Sequence, residues 1–263
     1  MKKTLFILSV LVASSLSVEA STVLVSFGIN SGNAATSVVD GTYMGQAGQK
    51  VNAVKTNNSG SSYTSSALVD SSGATTGITV VTGGSCCGGG GVLGPGNVHL
   101  NQSGGSFYDV FGQDMVLGNP MGGVVNASSG TSFTMNMRGL SVGTYTLTIL
   151  AGRGNTFDGA SAASSFSIGG DNISNISASL ADSSVGSAAS VNGSTITGNT
   201  YSGDWMLMTY TFDVTADNTS LNINSNGGKG NINSLALTMV PEPATAGLGL
   251  LGLGFLLMRR RVA

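Results

Sequence analysis

The residues able to do chemistry are few. His99, in Asn97-Val-His-Leu-Asn101, is the one histidine of the 263-residue chain, and the two cysteines are adjacent, Cys86-Cys87, inside Gly83-Gly-Ser-Cys-Cys-Gly-Gly-Gly-Gly91. A metal centre built on nitrogen or sulfur needs three or four such ligands, so neither His99 nor the pair founds one. His99 is read as a structural or surface residue. The Gly-x-Ser-x-Gly elbow of α/β-hydrolases is missing. Carboxylates remain. Asp109 and Asp114 flank Val110–Gln113, and Asp204, Asp213 and Asp217 follow within one strand region. A glycosidase uses two carboxyl groups across one bond, each tuned by partners that these aspartates lack. Turn and strand-end roles are expected for them, with an oxygen-ligated Ca²⁺ loop as the alternative. The expectation is a non-enzyme with no catalytic residue, no metal and no cofactor.

Binding chemistry is better represented. Tyr108, Tyr201 and Trp205 fall near turns, where an aromatic face can stack on a sugar ring while Asn and Asp hold its hydroxyls. Thr144, Thr146 and Thr148, with Thr209 and Thr211, form short Thr-x-Thr rows of the kind that ice-binding surfaces use, although Thr suits any solvated strand face.

Strands must position these groups. Val23, Val25, Phe27 and Ile29 alternate with mostly polar neighbours. So do Phe133, Met135 and Met137, then Tyr145, Leu147 and Ile149, then Phe166 and Ile168. Met206, Met208, Tyr210, Phe212 and Val214 form the longest series, and Leu221 with Ile223, and Leu235, Leu237 and Met239, close it. Period two means strands with one face on a core and one toward water. No stretch shows a helical period. The expected fold is all-β, an antiparallel β-sandwich of jelly-roll-like form. Asn30–Ser62 and Ser177–Asn199, thin in large apolar residues, are expected to be long surface loops holding short strands.

Both ends of the chain differ from this body. Lys2-Lys3, an apolar run from Leu5 to Val18, and Val18-Glu19-Ala20 make a Sec-type signal peptide over residues 1–20, with cleavage between Ala20 and Ser21. The body, 21–239, holds Lys50, Lys55, Arg138, Arg153 and Lys229 against ten Asp and no Glu. That net negative balance offers no nucleic-acid footprint. Residues 240–263 read Val240-Pro241-Glu242-Pro243, an uncharged Leu/Gly-rich run Ala244–Met258, then Arg259-Arg260-Arg261. The prolines bar a helix until they are passed. Residues 244–258 then predict a single transmembrane helix about 22 Å long, short for a roughly 30 Å hydrocarbon core. The arginine cluster holds to the cytoplasmic side and leaves the body outside.

Residues 240–263 resemble the PEP-CTERM sorting signal of bacteria that build extracellular polymer matrix. In that family a membrane-embedded cysteine protease, the exosortase, recognises and cuts near the Pro-Glu-Pro. A similar tail occurs on some bacterial ice-binding proteins. The body resembles galactose-binding-like jelly-roll domains through its order of pieces. These are an opening Val-Ser-Phe-Gly strand, an Arg138-Gly-Leu-Ser-Val-Gly-Thr-Tyr145 corner between two core strands, and a closing Lys229–Leu237 strand. The resemblances imply an exported cell-surface or matrix protein, held in the membrane and then sorted. Its partners would be an exosortase-type protease, the membrane and an extracellular polysaccharide. A polysaccharide hydrolase is the rival reading, and an ice-binding protein a distant one.

Outside the cell two thiols do not stay free for long. Cys86 and Cys87 can close a strained vicinal disulfide or link to a second chain. Thiol labelling of the purified protein is expected to find no reactive thiol before reduction and two after it. Two reactive thiols before reduction would exclude both kinds of disulfide.

Overall fold

The computed structural model describes residues 20–28, 36–43, 46–55, 62–83, 125–126, 133–152, 163–183, 189–198, 205–227 and 231–241. Ser21–Val240 forms one compact unit. The remaining residues form a second unit, of which only Ala20 and Pro241 are described. The predicted signal peptide and the 244–258 helix therefore lie outside the described residues. Among the described residues, no helix is long and apolar enough to cross a membrane.

The unit is all-β. Its strands are β1 (Thr22–Gly28), β2 (Thr36–Tyr43), β3 (Gln46–Lys55), β4 (Ser62–Thr64), β5 (Thr79–Gly83), β6 (Val125–Asn126), β7 (Phe133–Leu140) and β8 (Gly143–Gly152). They continue with β9 (Ser164–Gly169), β10 (Ile173–Ser183), β11 (Ser190–Asn192), β12 (Thr195–Gly198), β13 (Trp205–Val214), β14 (Thr219–Asn226), β15 (Asn231–Ile232) and β16 (Ser234–Val240). One seven-stranded sheet runs β10-β13-β8-β16-β1-β3-β2, a second runs β11-β12-β9-β14-β7-β5-β4, and β6 pairs with β15. From β7 to β14 most connections pass from one sheet to the other. The resulting pairs nest: β7 with β14, β8 with β13, and β9 with β12, around β10.

The alternating residues do what their period requires. Val23, Val25 and Phe27 of β1, Met135 and Met137 of β7, and Leu147 and Ile149 of β8 join one buried cluster with Phe166 and Ile168 of β9. The whole inward row of β13 and Leu221 and Ile223 of β14 complete it, so the two sheets share one core in a β-sandwich-like arrangement. Tyr210 is fully buried, and its hydroxyl donates across the core to the Phe166 carbonyl oxygen at 2.9 Å. Burial pushes that phenol far above its ordinary pKa, so it stays a donor.

Three expectations are corrected. The sandwich is not wholly antiparallel, because β1 and β3 pair in parallel, Leu24 opposite Val51 through Gly28 opposite Lys55. Asn30–Ser62 is not mainly loop, since β2 and β3 occupy most of it. The inward-facing position opposite Val25 is Asn52 rather than a large apolar residue, which breaks the hydrophobic pattern. Asn52 is fully buried, donates to the Leu24 and Val69 carbonyls at 2.9 and 2.7 Å, and accepts from the Val69 amide at 2.9 Å. This polar peg fastens the 65–78 segment to β1 and β3. Ser177–Asn199 likewise contains the end of β10 and all of β11 and β12. β10 is an edge strand whose small residues Ser177, Ala178 and Ser179 need no large core partner, and it is bulged at Asn175, where φ is 51°.

Tyr210→Phe removes a side-chain hydrogen bond that joins the two sheets across the core and takes from the buried Phe166 carbonyl the donor it has there. A loss of about 1–3 kcal/mol is expected. Thermal unfolding should show it as a drop of roughly 2–4 °C per kcal/mol. An unchanged melting temperature would mean that the bond contributes nothing net.

Candidate functional site

Strand direction sorts the sandwich into two poles. Ser141–Val142, Gly170–Asn172 and Thr215–Asn218 are short turns at one end, between β7 and β8, β9 and β10, and β13 and β14. Both chain exits are at this end too, because Thr22 pairs with Thr238 and the Met239 amide donates to the Ser21 carbonyl at 3.1 Å. This end is the proximal pole. The other end is the distal pole, and several connections depart from strand ends there, whereas the 65–78 connection between β4 and β5 lies at the proximal pole. Gly83 and Val125 bracket residues 84–124, Gly152 and Ser164 bracket 153–163, and Gly198 and Trp205 bracket 199–204.

That division collects the sequence candidates. Cys86, Cys87, His99, Tyr108, Asp109 and Asp114 belong to the first of these distal connections, and Tyr201 and Asp204 to the third. All of them lie outside the described residues. Trp205 is placed by its backbone: it opens β13 opposite Gly152, at the distal end of the strand pair. Ala20, Ser21, Val240 and Pro241 are at the proximal pole and exposed. Glu242, Pro243 and Arg259–Arg261 lie outside the described residues.

The proximal pole is tightly built. Gly139 has φ 86°, and a Cβ there would collide with the Gly77 carbonyl oxygen, so only glycine lets the 76–78 turn close on the β7–β8 corner. Tyr145 stacks on Phe212 with ring centroids 5.7 Å apart and donates back to the Ser141 carbonyl at 3.0 Å, pinning the corner. Asp217 accepts from the Val142 amide at 2.9 Å. Burial first, and the Asp217 charge after it, raise the Tyr145 pKa against the Ser141 bond. Asp70 gathers the Ser72 amide and hydroxyl, the Ala74 amide and the Ser21 hydroxyl. Slight burial pulls its carboxyl upward, but these donors outweigh it and hold the pKa below the ordinary value. A half-open cleft of about 160 Å³ opens between the corner, the 76–78 turn and the ends of β1 and β16, with Val23, Ile78, Leu237 and Met239 in its wall.

The outer faces carry polar ladders in which neutral side chains predominate. On the first sheet Thr144, Thr146 and Thr148 stand opposite Asp213, Thr211 and Thr209, and Thr146 also opposes Thr238, which opposes Thr22. Strand pairing thus extends the threonine rows with residues distant in sequence. Much of this array is already bonded: Thr144 donates to Asp213, Thr22 and Thr238 share a bond, and the Tyr43 hydroxyl is bonded to Thr148. Hydrogen bonds from Asn175 and Thr144 lower the Asp213 pKa. On the second sheet Asn136 donates to Asn222 and Thr134 to Asn224. Among the described residues no three His, Cys, Asp or Glu are grouped to hold a metal ion. Comparisons with known proteins found no matching family model, no matching curated protein and no matching solved structure.

The folded pKa values of Asp70 and Asp213 are depressed, so their stabilisation is fully present above the unfolded carboxylate value and is lost as pH falls through the folded values. Melting temperature measured against pH should therefore fall below about pH 4. Asp70→Asn should melt lower at neutral pH and lose less on acidification. An acid profile identical to that of the parent would refute the role of Asp70.

Proposed function

We propose that this chain is an exported protein of the cell surface or extracellular matrix. Its signal peptide is removed, its body folds outside as a jelly-roll type of sandwich, and its C-terminal segment is held in the membrane and sorted by an exosortase-type protease. The body binds extracellular polysaccharide and catalyses nothing. One observation carries this reading: both chain exits share one pole, and the long connections that hold the aromatic candidates share the other. A body tethered at its proximal pole keeps the strand ends that bracket these connections, Trp205 of β13 among them, away from its attachment. The nested strand pairs support the jelly-roll form. The neutral Asn, Ser and Thr ladders suit an uncharged hydroxylated polymer, and the acidic body disfavours nucleic acid.

The hydrolase reading gains little from the described aspartates. Asp213 is committed to Thr144 and Asn175, and Asp217 to the Val142 amide. The aligned threonine rows favour ice binding as a second reading. It ranks lower because the Thr144, Thr148 and Thr22 hydroxyls already have protein partners.

Two measurements test the proposal. The intact mass of the mature protein from its native host is expected to begin at Ser21 and end near Pro243, or to carry an added glycan or lipid there. A mass running through Ala263 would overturn the sorting. Polysaccharide binding without product release is expected, and weakened by Trp205→Ala. Released product would overturn the non-enzyme reading, and inhibition of ice recrystallisation would favour the threonine face.

A further inference from the structure

Three of the exposed large hydrophobic residues belong to the proximal pole. Val142 at the β7–β8 corner is 50 % exposed, and Met239 and Val240 at the end of β16 are 36 % and 38 % exposed. They are neighbours through the strand register, where Thr144 opposes Val240 and Tyr145 opposes Met239. Beside them the half-open cleft adds Val23, Ile78 and Leu237. Val23 and Leu237 belong to the core and Ile78 packs against it, whereas Val142, Met239 and Val240 leave much of their apolar surface outside it.

The chain beyond β16 limits what can cover them. Three residues, Pro241-Glu242-Pro243, separate Val240 from the apolar run that starts at Ala244. From Val240 to Ala244 that tether spans at most about 14 Å. Its two prolines favour an extended, semi-rigid conformation, at about 3.1 Å per residue. The 15-residue run Ala244–Met258 is about 8 Å shorter as a helix than a typical hydrocarbon core. On the membrane reading of this run, arginines held at the cytoplasmic surface leave a helix this short to end below the opposite interface, which would draw the tether toward the bilayer.

We infer that the proximal pole is a lipid-contact surface: Val142, Met239 and Val240 rest in the interface of the outer leaflet while the tail is uncut. The inference rests on the membrane reading of residues 244–258. The contact is apolar rather than electrostatic, because the Val142 amide is already bonded to the Asp217 carboxylate, and Asp171 and Asp70 stand in the adjoining turns. Neutral headgroups therefore serve as well as anionic ones. Cutting the chain near Pro243 frees the tether, and the pole's small apolar area is then too little to hold the body on the bilayer.

The full-length chain in phosphatidylcholine vesicles, with and without brominated lipid, tests this. Trp205 stays in place as a constant distal background. Val142→Trp and Met239→Trp are two probes of the pole, and Val191→Trp is the control. Val191 is exposed on β11 and level with Ile196 and Phe166, in the distal half of the second sheet. The expected result is a blue-shifted emission for both pole probes and bromolipid quenching severalfold greater than for the control, unchanged when anionic lipid is added. Chain that floats with the vesicles while pole and control probes quench alike would overturn the contact and leave the anchor standing. Chain that does not float with the vesicles would overturn the anchor, and the contact with it. Quenching that requires anionic lipid would overturn its apolar basis.

Discussion

The sandwich depends on the inward row of β13. Met206, Met208, Tyr210, Phe212 and Val214 are buried along a strand that pairs with β8 over its whole length, from Trp205 opposite Gly152 to Val214 opposite Gly143. A body this rich in glycine and serine has little apolar surface to bury, so what it has must lie on one face of each strand. β13 concentrates the largest share of it. Tyr210 adds a directional bond to that general attraction, fixing which residue of the second sheet faces which residue of the first. Hydrophobic burial alone would hold two sheets together without setting their relative position so narrowly.

How much was legible followed from the same property. Strands whose inward positions are large and apolar announced themselves: β1, β7, β8, β9, β13, β14 and β16. Strands whose inward positions are small or polar did not. Asn52 stands where the pattern wants a valine, and its compensation comes from a backbone segment some 17 residues away, which no local reading detects. Ala178 satisfies its place opposite Tyr210 without looking hydrophobic enough to count. Direction was illegible as well. Period two is the same for a parallel neighbour as for an antiparallel one, so the β1–β3 pairing had no trace in the sequence.

The candidate residues were recognisable by type, but their distribution was not. Trp205 and Tyr201 are close in sequence to each other and far from Tyr108, and nothing in their spacing says that their connections leave from one pole. That follows from the alternation of strands between the sheets, which sends successive connections to opposite ends. The threonine rows show the reverse case. Two short Thr-x-Thr stretches look isolated until Thr238 and Thr22, from opposite ends of the chain, fall into register beside them.

The position of β16 has a mechanical meaning. It is an interior strand, hydrogen-bonded to β8 on one side and β1 on the other, and it is also the strand from which residue 241 leaves the body. A pull on residue 241 against resistance at the distal pole runs along the axis of β16. All its bonds to both neighbours are then loaded together, in shear, instead of one after another as in peeling. A pull on residues 21 and 241 against each other acts differently, because β1 and β16 are antiparallel and their outer ends are adjacent; it opens them like a zipper from Thr22 and Thr238. The body is therefore built to bear load between its two poles and to yield to load between its two ends.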